Sequence, residues 1–487
     1  MKPSQADAGP PTAAELDQEV TPDPRDPAVA TRPVSRFIPP YPVRGAGPVS
    51  VWRGFFGERA RTAVYGWSEA AFRLPYMRRK VLGYTVHIPL DPELVQQVLL
   101  DNAAAYAKPD IVKGLLAPVI GRGLLTSDGK LWREQRRIVA ASFTPPAVDA
   151  LVPVFAGAAE MTMQAWGDGK IVDLASQATA TTMRVIADAL FGGEPRLTSK
   201  ESMSHIAAAL DAFSEARIQA LLGMPVIPLS AKARAGRRGQ TFLRQTLGDV
   251  VQDRRDSGSN DFLSKLIRAL DRRFDTAEAH SLAVDNAATF YLAGHETTAN
   301  AITWTLFLLS KQPELQERAG EEAREALTGN DRDPLLADRL PLLRQILEES
   351  LRLYPPVPRF DRQAVASDRL GSEDVAPGDI VSIWPWLIHR HTALWEDPDV
   401  FNHERFAISA KGGRHRFQYL PFGGGPRLCV GARFATVEAL TILAHWLRQW
   451  SFRPISNHSI RMSGMVTLRP ANGLPLILEQ RSRSSGK

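Results

Sequence analysis

The sequence predicts a large, mainly α-helical single domain with small β-sheets. Three observations support this fold class. Apolar residues recur at helical spacing among alanine, arginine and glutamine along most of the middle of the chain. Segments rich in β-forming residues are short and few, at Tyr84 to Ile88, Ile380 to Ile383 and Val466 to Leu468. A chain of this length could hold about three ordinary domains, but no long polar linker after residue 50 divides it.

The chain begins with a proline-rich segment and continues mostly as helices. Ten prolines fall within the first 42 residues in a mostly polar setting, which predicts a flexible arm over residues 1–45. We expect the folded domain over residues 46–480 and a disordered tail over residues 481–487. The helices are predicted over residues 94–102, 130–143, 172–191, 203–222 and 281–310. The last of these would be about 45 Å long, and it is apolar enough to run through the interior.

Composition and charge narrow the choice of partners. Lys and Arg number 59 against 53 Asp and Glu, which gives a net charge of +6 and a pI near 9.4. This excess fits an acidic protein or a nucleic acid equally well. Because zinc-finger, P-loop and RNA-binding signatures are missing, we expect no nucleic acid. No apolar run reaches the roughly 18 residues of a spanning helix, and acidic residues near the start argue against a signal peptide. We therefore expect a cytoplasmic protein without a membrane span.

The single cysteine stands in a glycine-rich loop, Phe422-Gly-Gly-Gly-Pro-Arg-Leu-Cys429-Val-Gly431, before an alanine-rich helical segment. One cysteine excludes an intramolecular disulfide. Consecutive glycines permit the backbone to approach a flat partner closely. The start of the following helix would surround the sulfur with N–H groups and lower the pKa of the thiol. The loop therefore predicts a thiolate site, and the alternative is a buried structural cysteine, the usual role of a lone cysteine.

A second motif, Ala293-Gly-His-Glu-Thr-Thr, lies midway along the longest predicted helix. Gly294 costs about 1 kcal/mol in a helix interior, so we expect its missing side chain to make room for a small ligand. Thr297 can donate a hydrogen bond to the carbonyl of Ala293, and its hydroxyl beside the carboxylate of Glu296 offers a proton route. The alternative is a solvated helix face. The His-Glu pair also begins a zinc-protease motif, but position 299 is alanine instead of the second histidine.

The cysteine loop resembles the haem-binding loop of cytochromes P450. The match includes each fixed position, Phe422, Gly425, Arg427, Cys429 and Gly431, and four further blocks occur in the family's order between about residues 50 and 480. The resemblance implies a haem b cofactor (iron protoporphyrin IX) with Cys429 as the axial thiolate ligand, which favours O–O cleavage at the iron. It implies that Phe422 and Gly431 lie against this cofactor.

The resemblance also implies roles for side chains outside the loop. Glu296 would be the acid and Thr297 the alcohol of the family's proton-delivery pair, with Ala293 and Gly294 beside the haem. Arginine suits carboxylates through its forked donors, and the positions expected at the haem propionates are Trp132, Arg136, Arg362 and Arg427. A structural network is implied for Glu349, Arg352 and Arg405, although His403 stands where the family usually has proline.

The implied function is a haem-thiolate monooxygenase that activates O2 and hydroxylates or epoxidises a hydrophobic small molecule, as in the soluble bacterial-type members of the family. Because the haem domain fills the chain, we expect a separate electron donor, a ferredoxin or flavodoxin with an NAD(P)H reductase. A basic face for this donor would comprise Arg133, Lys411, Arg414, Arg416 and Arg433, unless these residues are only solvated charges. A peroxide-driven haem enzyme and a non-catalytic haem sensor or carrier remain as alternative functions.

The substrate pocket is the least specific part of the pattern. The resemblance places it at residues 115–125, 207–227, 357–360 and 465–466, with Phe290 and Ala293. These positions are mostly apolar, which favours a hydrophobic substrate. The same apolar residues could equally be ordinary core.

Overall fold

The computed structural model describes residues 36–47, 62–81, 83–209, 227–228, 230–410, 412–456, 458–464 and 466–482. A boundary between two compact units follows Ile38, and the residues from Pro39 onward belong to one unit. The end of the predicted arm, residues 39–45, belongs to this unit, and the division at residue 45 stays a prediction. Arg44 is buried and pairs with Asp399, and Gly45 forms a β-bridge with Ser68. Residues 1–35 of the arm and 483–487 of the tail lie outside the described residues.

Helices make up most of the described chain. They are α1 (Pro92–Gln96), α2 (Asp110–Ile120), α3 (Gly129–Ala140), α4 (Pro145–Asp149), α5 (Val152–Met163), α6 (Leu174–Phe191), α7 (Ala231–Asp256), α8 (Phe262–Asp271), α9 (Thr276–Ser310), α10 (Pro313–Ala326), α11 (Pro341–Leu353), α12 (Pro385–Ile388) and α13 (Ala432–Gln449). Residues 200–209 are also helical. A single π-helical turn, Gln97–Asp101, follows α1.

The strands form small sheets at the edge of the helical body. They are β1 (Tyr76–Val81), β2 (Tyr84–Pro89), β3 (Tyr106–Ala107), β4 (Ile171–Asp173), β5 (Phe360–Ala364), β6 (Asp368–Leu370), β7 (Glu373–Val375), β8 (Ile380–Ile383), β9 (Trp450–Pro454), β10 (Met462–Ser463), β11 (Arg469–Pro470) and β12 (Pro475–Gln480). The largest sheet has the order β1-β2-β8-β5-β3, a second has β4-β12-β9, and β6-β7 and β10-β11 are separate pairs. Within the largest sheet only β2 and β8 are parallel, with Val86 opposite Ile380. The predicted fold class, mainly α with small sheets, is confirmed.

The longest helix, α9, forms the centre of the molecule. It starts at Asp275, whose side chain accepts a hydrogen bond from the backbone N–H of Glu278 at 2.9 Å and so satisfies a free donor of the first turn. Its residues are buried nearly all round the helix, as expected for a helix that other helices surround. The hydroxyl of Thr182 on α6 donates to the carbonyl of His295 at 2.9 Å, which fixes α6 against the middle of α9.

A buried ion-pair network fixes the end of α11. Arg352 donates to both oxygens of Glu349 at 2.7 Å, and Nε of Arg405 lies 3.6 Å from the same carboxylate. Arg352 also donates to the backbone carbonyls of Pro398 and Val400. The predicted structural network is therefore present, and the buried charges of Glu349 and Arg352 are paired and hydrogen-bonded.

Several predicted element boundaries are wrong for local reasons. Residues 172–173 belong to strand β4, and the helix begins afterwards because Asp173 caps α6 by accepting from the N–H of Ala175. Residues 466–468 form a turn between β10 and β11 instead of a strand. Arg481, in the predicted tail, is buried and donates to the carbonyl of Trp450.

No single helix among the described residues has the length and apolar character needed to cross a membrane. One bent pair, Gly129–Ala140 with Pro145–Met163, meets the length and composition criteria together, with a bend of 56°.

Candidate functional site

The buried middle of the central helix α9 contains an exposed turn. Ala293 is exposed and Gly294 and Thr297 are partly exposed, whereas Tyr291 and Ala299 on either side are buried. Because other helices pack around α9, we infer that an exposed residue at its middle borders a cleft. The motif predicted to carry chemistry therefore lies where α9 forms a wall of this cleft.

Cys429 lies in the loop just before α13, three residues ahead of Ala432, the first residue of that helix. Its backbone N–H donates to the carbonyl of Phe422 at 3.0 Å, which closes the glycine loop. Phe143 joins the two helices, since its ring lies 5.7 Å from Phe290 on α9 and 6.0 Å from Phe434 on α13. The side chain of Cys429 is exposed. We infer that this thiol and the exposed turn of α9 border the same cleft.

The thiol is accessible to solvent yet surrounded by protein. Burial raises the pKa of the Cys429 thiol, while the backbone N–H of Gly431 and the guanidinium of Arg136 lower it. The helix start therefore lowers the pKa of the thiol, as predicted, but burial raises this pKa by more. Accessibility and burial are compatible because a sulfur at the bottom of a cleft touches solvent while protein atoms lie on its other sides. Arg136 and the N–H of Gly431 are the groups that favour the thiolate.

The glycines of the loop serve contacts within the protein. A Cβ on Gly425 would lie 1.7 Å from the carbonyl oxygen of Leu99, and its φ is +67°. A Cβ on Gly424 would lie 2.7 Å from the ring of Phe417. The sequence predicted close approach to a flat partner. For these two glycines the structure shows close approach to the π-helical turn and to an aromatic ring, and the approach to a flat partner stays a prediction.

A cluster of cations lies near the cysteine loop. Burial lowers the pKa of Arg362 to about 10, with a further contribution from Arg427. Burial also lowers the pKa of Lys108 to about 7, and Arg362 and Arg427 add to this effect. Arg427 donates to Asp128 and to the carbonyl of Ser127. Buried cations that lower one another's pKa values are stabilised by a nearby anion. These cations therefore form a site for an anion with more than one negative group.

Trp132 and Arg136 lie on α3, one turn apart, as predicted. The guanidinium of Arg427 stacks 4.5 Å from the ring of Trp132. Arg136 is half-buried, and burial lowers its pKa while the thiol of Cys429 raises it. α3 therefore extends the cation cluster from Arg427 to the sulfur.

The two polar side chains of the α9 motif have different partners. The hydroxyl of Thr297 donates to the carbonyl of Ala293 at 2.9 Å, the bond expected from their spacing. Glu296 instead accepts a hydrogen bond from the hydroxyl of Thr467 at 2.6 Å. Among the described residues no hydrogen bond joins Glu296 to Thr297. Both nevertheless lie within one turn of the exposed Ala293.

Gly294 does not open space toward the cleft, contrary to the prediction. A Cβ at this position would lie 2.5 Å from Cδ1 of Ile186 on α6. The missing side chain therefore permits close packing of α6 against α9. His295 beside it is buried, and its Nδ1 lies 2.6 Å from the carbonyl of Tyr291. In the part of the chain that the structure describes, no group of three His, Cys, Asp or Glu side chains could hold a metal ion.

The predicted pocket residues divide into core and exposed positions. Phe290 packs 5.1 Å from Phe262 as well as against Phe143, and it is buried, so it belongs to an aromatic cluster of the core. Leu125 and Val466 are exposed. Met465 and residues 210–226 of the predicted pocket lie outside the described residues.

Arg414 is a structural residue, which corrects its place in the predicted basic face. Its guanidinium packs 4.6 Å from the ring of Trp395 and 4.7 Å from that of Phe406. It donates to the carbonyl of Arg405 at 2.7 Å, and burial lowers its pKa. A side chain held in this way presents little charge at the surface.

The other members of the basic face differ in exposure. Arg133 and Arg416 are exposed. Arg433 donates to both oxygens of Asp149 at 2.7 and 2.8 Å, so its charge is largely neutralised. Lys411 lies outside the described residues. The exposed cations are therefore Arg133 and Arg416.

Sequence reasoning missed three residues of the site. Lys108 completes the cation cluster, Asp128 is the anion that pairs with Arg427, and Thr467 binds Glu296. Each is a single polar residue without a spacing pattern. Parts of α3, β5 and the cysteine loop lie around these residues, and they come together only in the folded chain.

The side chains present fit a haem. An accessible thiol supplies a ligand for iron, and the cation cluster of Lys108, Arg362 and Arg427 supplies partners for two carboxylates. Arg136 lies between these two parts, since it interacts with the thiol of Cys429. The side chain of Ala293 on α9 ends at Cβ, and this leaves room for a flat group beside the helix.

Comparison with known proteins places these observations in a family. A family sequence model described as Cytochrome P450 matches residues 71–475. The chain is 33% identical over 402 residues to cyclooctatin synthase of Streptomyces melanosporofaciens, which covers 81% of this chain and 86% of the relative. It is 31% identical over 375 residues to cyclooctat-9-en-7-ol 5-monooxygenase of the same organism, which covers 76% and 80%.

Similarity extends beyond bacteria. The human ultra-long-chain fatty acid omega-hydroxylase is 28% identical over 417 residues, which covers 80% of this chain and 78% of the relative. Further similar proteins come from plants and insects. The comparisons therefore do not restrict the chain to a soluble bacterial type.

Proposed function

The chain belongs to the cytochrome P450 family, and we propose that it hydroxylates or epoxidises a hydrophobic small molecule with electrons from a separate redox partner. Family membership makes it a cytochrome P450 monooxygenase, with haem b and a cysteine thiolate as its axial ligand. The observation that carries the proposal is the exposed turn of α9 at Ala293 together with the accessible thiol of Cys429. These two features give a reaction site with an apolar wall inside the fold.

The proposal assigns each part of the cofactor site to residues of this chain. Cys429 would bind the iron, and Phe422 would hold the loop closed through its carbonyl. The carboxylates of the cofactor would be held by Lys108, Trp132, Arg136, Arg362 and Arg427. When bound, haem supplies the reductive activation of dioxygen and the transfer of one oxygen atom to the substrate. Gly431 contributes its backbone N–H to the sulfur.

Glu296 and Thr297 would handle protons at the distal side of the site. The carboxylate of Glu296 is partly exposed, so it can exchange protons with solvent. The hydroxyl of Thr297 donates to the carbonyl of Ala293, and its oxygen can accept a hydrogen bond from water in the cleft at the same time. Such a pair delivers a proton to one place in the cleft and limits its random entry.

The substrate proposal rests on the apolar wall and on the relatives. Ala293, Leu125 and Val466 are exposed apolar residues, and sites of this kind bind apolar molecules. One relative is named for an unsaturated alcohol, cyclooctat-9-en-7-ol, and another for a fatty acid. We propose an unsaturated alcohol as the substrate, because the two Streptomyces relatives have identities above 30%.

The electron donor is proposed to be an acidic ferredoxin or flavodoxin with its reductase. Exposed Arg133 lies beside Trp132, which contacts Arg427 of the cysteine loop. Arg133 and Arg416 would attract an acidic partner to this side of the molecule. The cytoplasmic location and the soluble bacterial type remain predictions of the sequence.

The experiment is a substrate screen followed by turnover. The holoprotein is titrated with unsaturated cyclic alcohols, terpene hydrocarbons and fatty acids, and shifts of the haem Soret band are recorded. Compounds that shift the band are then incubated with NADPH, ferredoxin, ferredoxin reductase and isotopically labelled O2. We expect labelled hydroxyl or epoxide products from the unsaturated cyclic compounds. Binding without NADPH-dependent product would favour a haem carrier, and product only with added peroxide would favour a peroxide-driven enzyme.

A further inference from the structure

The carboxylate of Glu296 is held by a threonine from a distant part of the chain. The hydroxyl of Thr467, on the turn between β10 and β11, donates to Oε1 of Glu296 at 2.6 Å. Among the described residues no hydrogen bond to Oε2 accompanies it. A hydrogen bond from a neutral donor to a carboxylate is stronger than one between neutral groups, so it restricts the rotation of this side chain.

Thr467 has a fixed position that does not depend on Glu296. The next residue, Leu468, donates its N–H to the carbonyl of Pro356 at 2.8 Å and accepts from the indole N–H of Trp304 at 3.0 Å. Gly464 allows the tight turn, since a Cβ there would lie 1.7 Å from the carbonyl oxygen of Thr467. The turn is thus anchored on both sides, and its hydroxyl is a preorganised donor.

A second group competes for the same carboxylate. Nη1 of Arg469 lies 4.0 Å from Oε1 of Glu296, and its side chain is 39% exposed whereas that of Glu296 is 15% exposed. Without the hydroxyl of Thr467, the carboxylate of Glu296 is still attracted by this more exposed cation. The carboxylate would then turn toward the surface and away from the turn of Ala293 and Thr297.

We propose that Thr467 is a positioning residue for proton delivery: it fixes Oε1 of Glu296 so that Oε2 exchanges protons between solvent and the cleft. This inference rests on the proposed role of Glu296 as the acid of the site. Val466, the neighbour of Thr467, is exposed. A substrate that contacts Val466 would therefore press on the turn that holds the carboxylate.

The test compares variants that differ in one hydroxyl group. Thr467→Val keeps the shape and removes the donor, and Thr467→Ser keeps the donor. The matched control is Thr62→Val, because Thr62 is a buried threonine that contacts the same hairpin at Met462 and pairs with Gly464. Glu296→Gln tests the premise.

The measurement is the rate of NADPH-driven O2 consumption by the holoprotein, in H2O and in D2O. A plant-type ferredoxin and its reductase supply electrons, and limonene is the apolar probe. We expect Thr467→Val to lower the rate about tenfold, since the lost charge-assisted bond is worth at least that factor, and to enlarge the solvent isotope effect. Thr467→Ser and Thr62→Val should behave like the parent.

A second readout does not depend on turnover. The infrared bands of the Glu296 carboxylate, isolated by subtracting the spectrum of Glu296→Gln, should shift in Thr467→Val and not in Thr62→Val. Unchanged bands, or a Thr467→Val rate and isotope effect equal to those of the parent, would overturn the proposal. Equal losses of haem in Thr467→Val and Thr62→Val would make Thr467 only structural. If Glu296→Gln keeps the parent rate, the proposed acid role of Glu296 fails, and the positioning role of Thr467 fails with it. If Glu296→Gln is slow and Thr467→Val keeps the parent rate, only the positioning role of Thr467 fails.

Discussion

A carboxyl group buried between α9 and α13 should make stability depend on pH. Glu438 on α13 is fully buried, and in the described part of the chain neither of its oxygens has a hydrogen-bond partner of good geometry. Burial raises the pKa of Glu438 well above its usual value. The hydroxyl of Thr298 opposes this rise only in part, because it donates its hydrogen bond to the carbonyl of Gly294 at 3.3 Å. We therefore expect Glu438 to keep its proton to a higher pH in the folded protein than in the unfolded chain.

The sign of the effect follows from proton binding. An unfolded glutamate has a pKa near 4.3, so between that value and its raised folded pKa the folded state binds one more proton. The stabilising contribution is complete below the unfolded pKa and is lost as pH rises toward the folded pKa, at about 1.4 kcal/mol per pH unit. As pH rises above the unfolded pKa the parent should therefore lose stability relative to Glu438→Gln, which cannot titrate.

The assay is guanidinium unfolding of the holoproteins at pH 5, 6 and 7, followed by tryptophan fluorescence. The difference in unfolding free energy between Glu438→Gln and the parent should grow in favour of the variant as pH rises. Glu314→Gln on the exposed face of α10 is the control and should follow the parent. If the stabilities of Glu438→Gln and the parent change in parallel with pH, Glu438 has no raised pKa and the reasoning is refuted.

Three further predictions concern the reaction site. Cys429→Ser should abolish the red-shifted Soret band of the reduced, CO-bound protein, because the chain has one thiol; a retained band would contradict the ligand assignment. Thr297→Ala should consume NADPH with its redox partners but form at least about tenfold less product per NADPH, with hydrogen peroxide released instead; product yield equal to that of the parent would make Thr297 an ordinary helix residue. Charge reversal at Arg133 and Arg416 should slow reduction by an acidic ferredoxin severalfold at low ionic strength, and stopped-flow rates should converge with those of the parent at high salt.

The sequence was informative where a motif lies within one element. The spacing of Thr297 and Ala293 on a helix determines their hydrogen bond, and the structure contains it. The cysteine loop likewise leads directly into α13, so its position at a helix start follows from local sequence. Such relations depend on backbone geometry over a few residues, which the sequence specifies.

The sequence was less informative where a role depends on a distant neighbour. Gly294 packs against Ile186, more than 100 residues earlier, and nothing in its own motif indicates this contact. Arg414 stands in a basic segment, yet it is held by two aromatic rings. Lys108 is a single lysine whose lowered pKa arises only after β5 and the cysteine loop meet around it.

Two carboxyl groups near the exposed turn of α9, those of Glu296 and Glu438, have different surroundings. These surroundings indicate different roles, which the sequence alone does not distinguish. Glu296 has a hydroxyl donor at 2.6 Å, a cation at 4.0 Å and contact with solvent. Glu438 is fully buried and has no ion-pair partner among the described residues, and Thr298 opposes the rise of its pKa only in part. A group that exchanges protons needs a path to solvent and partners for its charge, whereas an isolated buried acid keeps its proton. For this reason we assign proton delivery to Glu296 and predict only a pH-dependent effect on stability for Glu438.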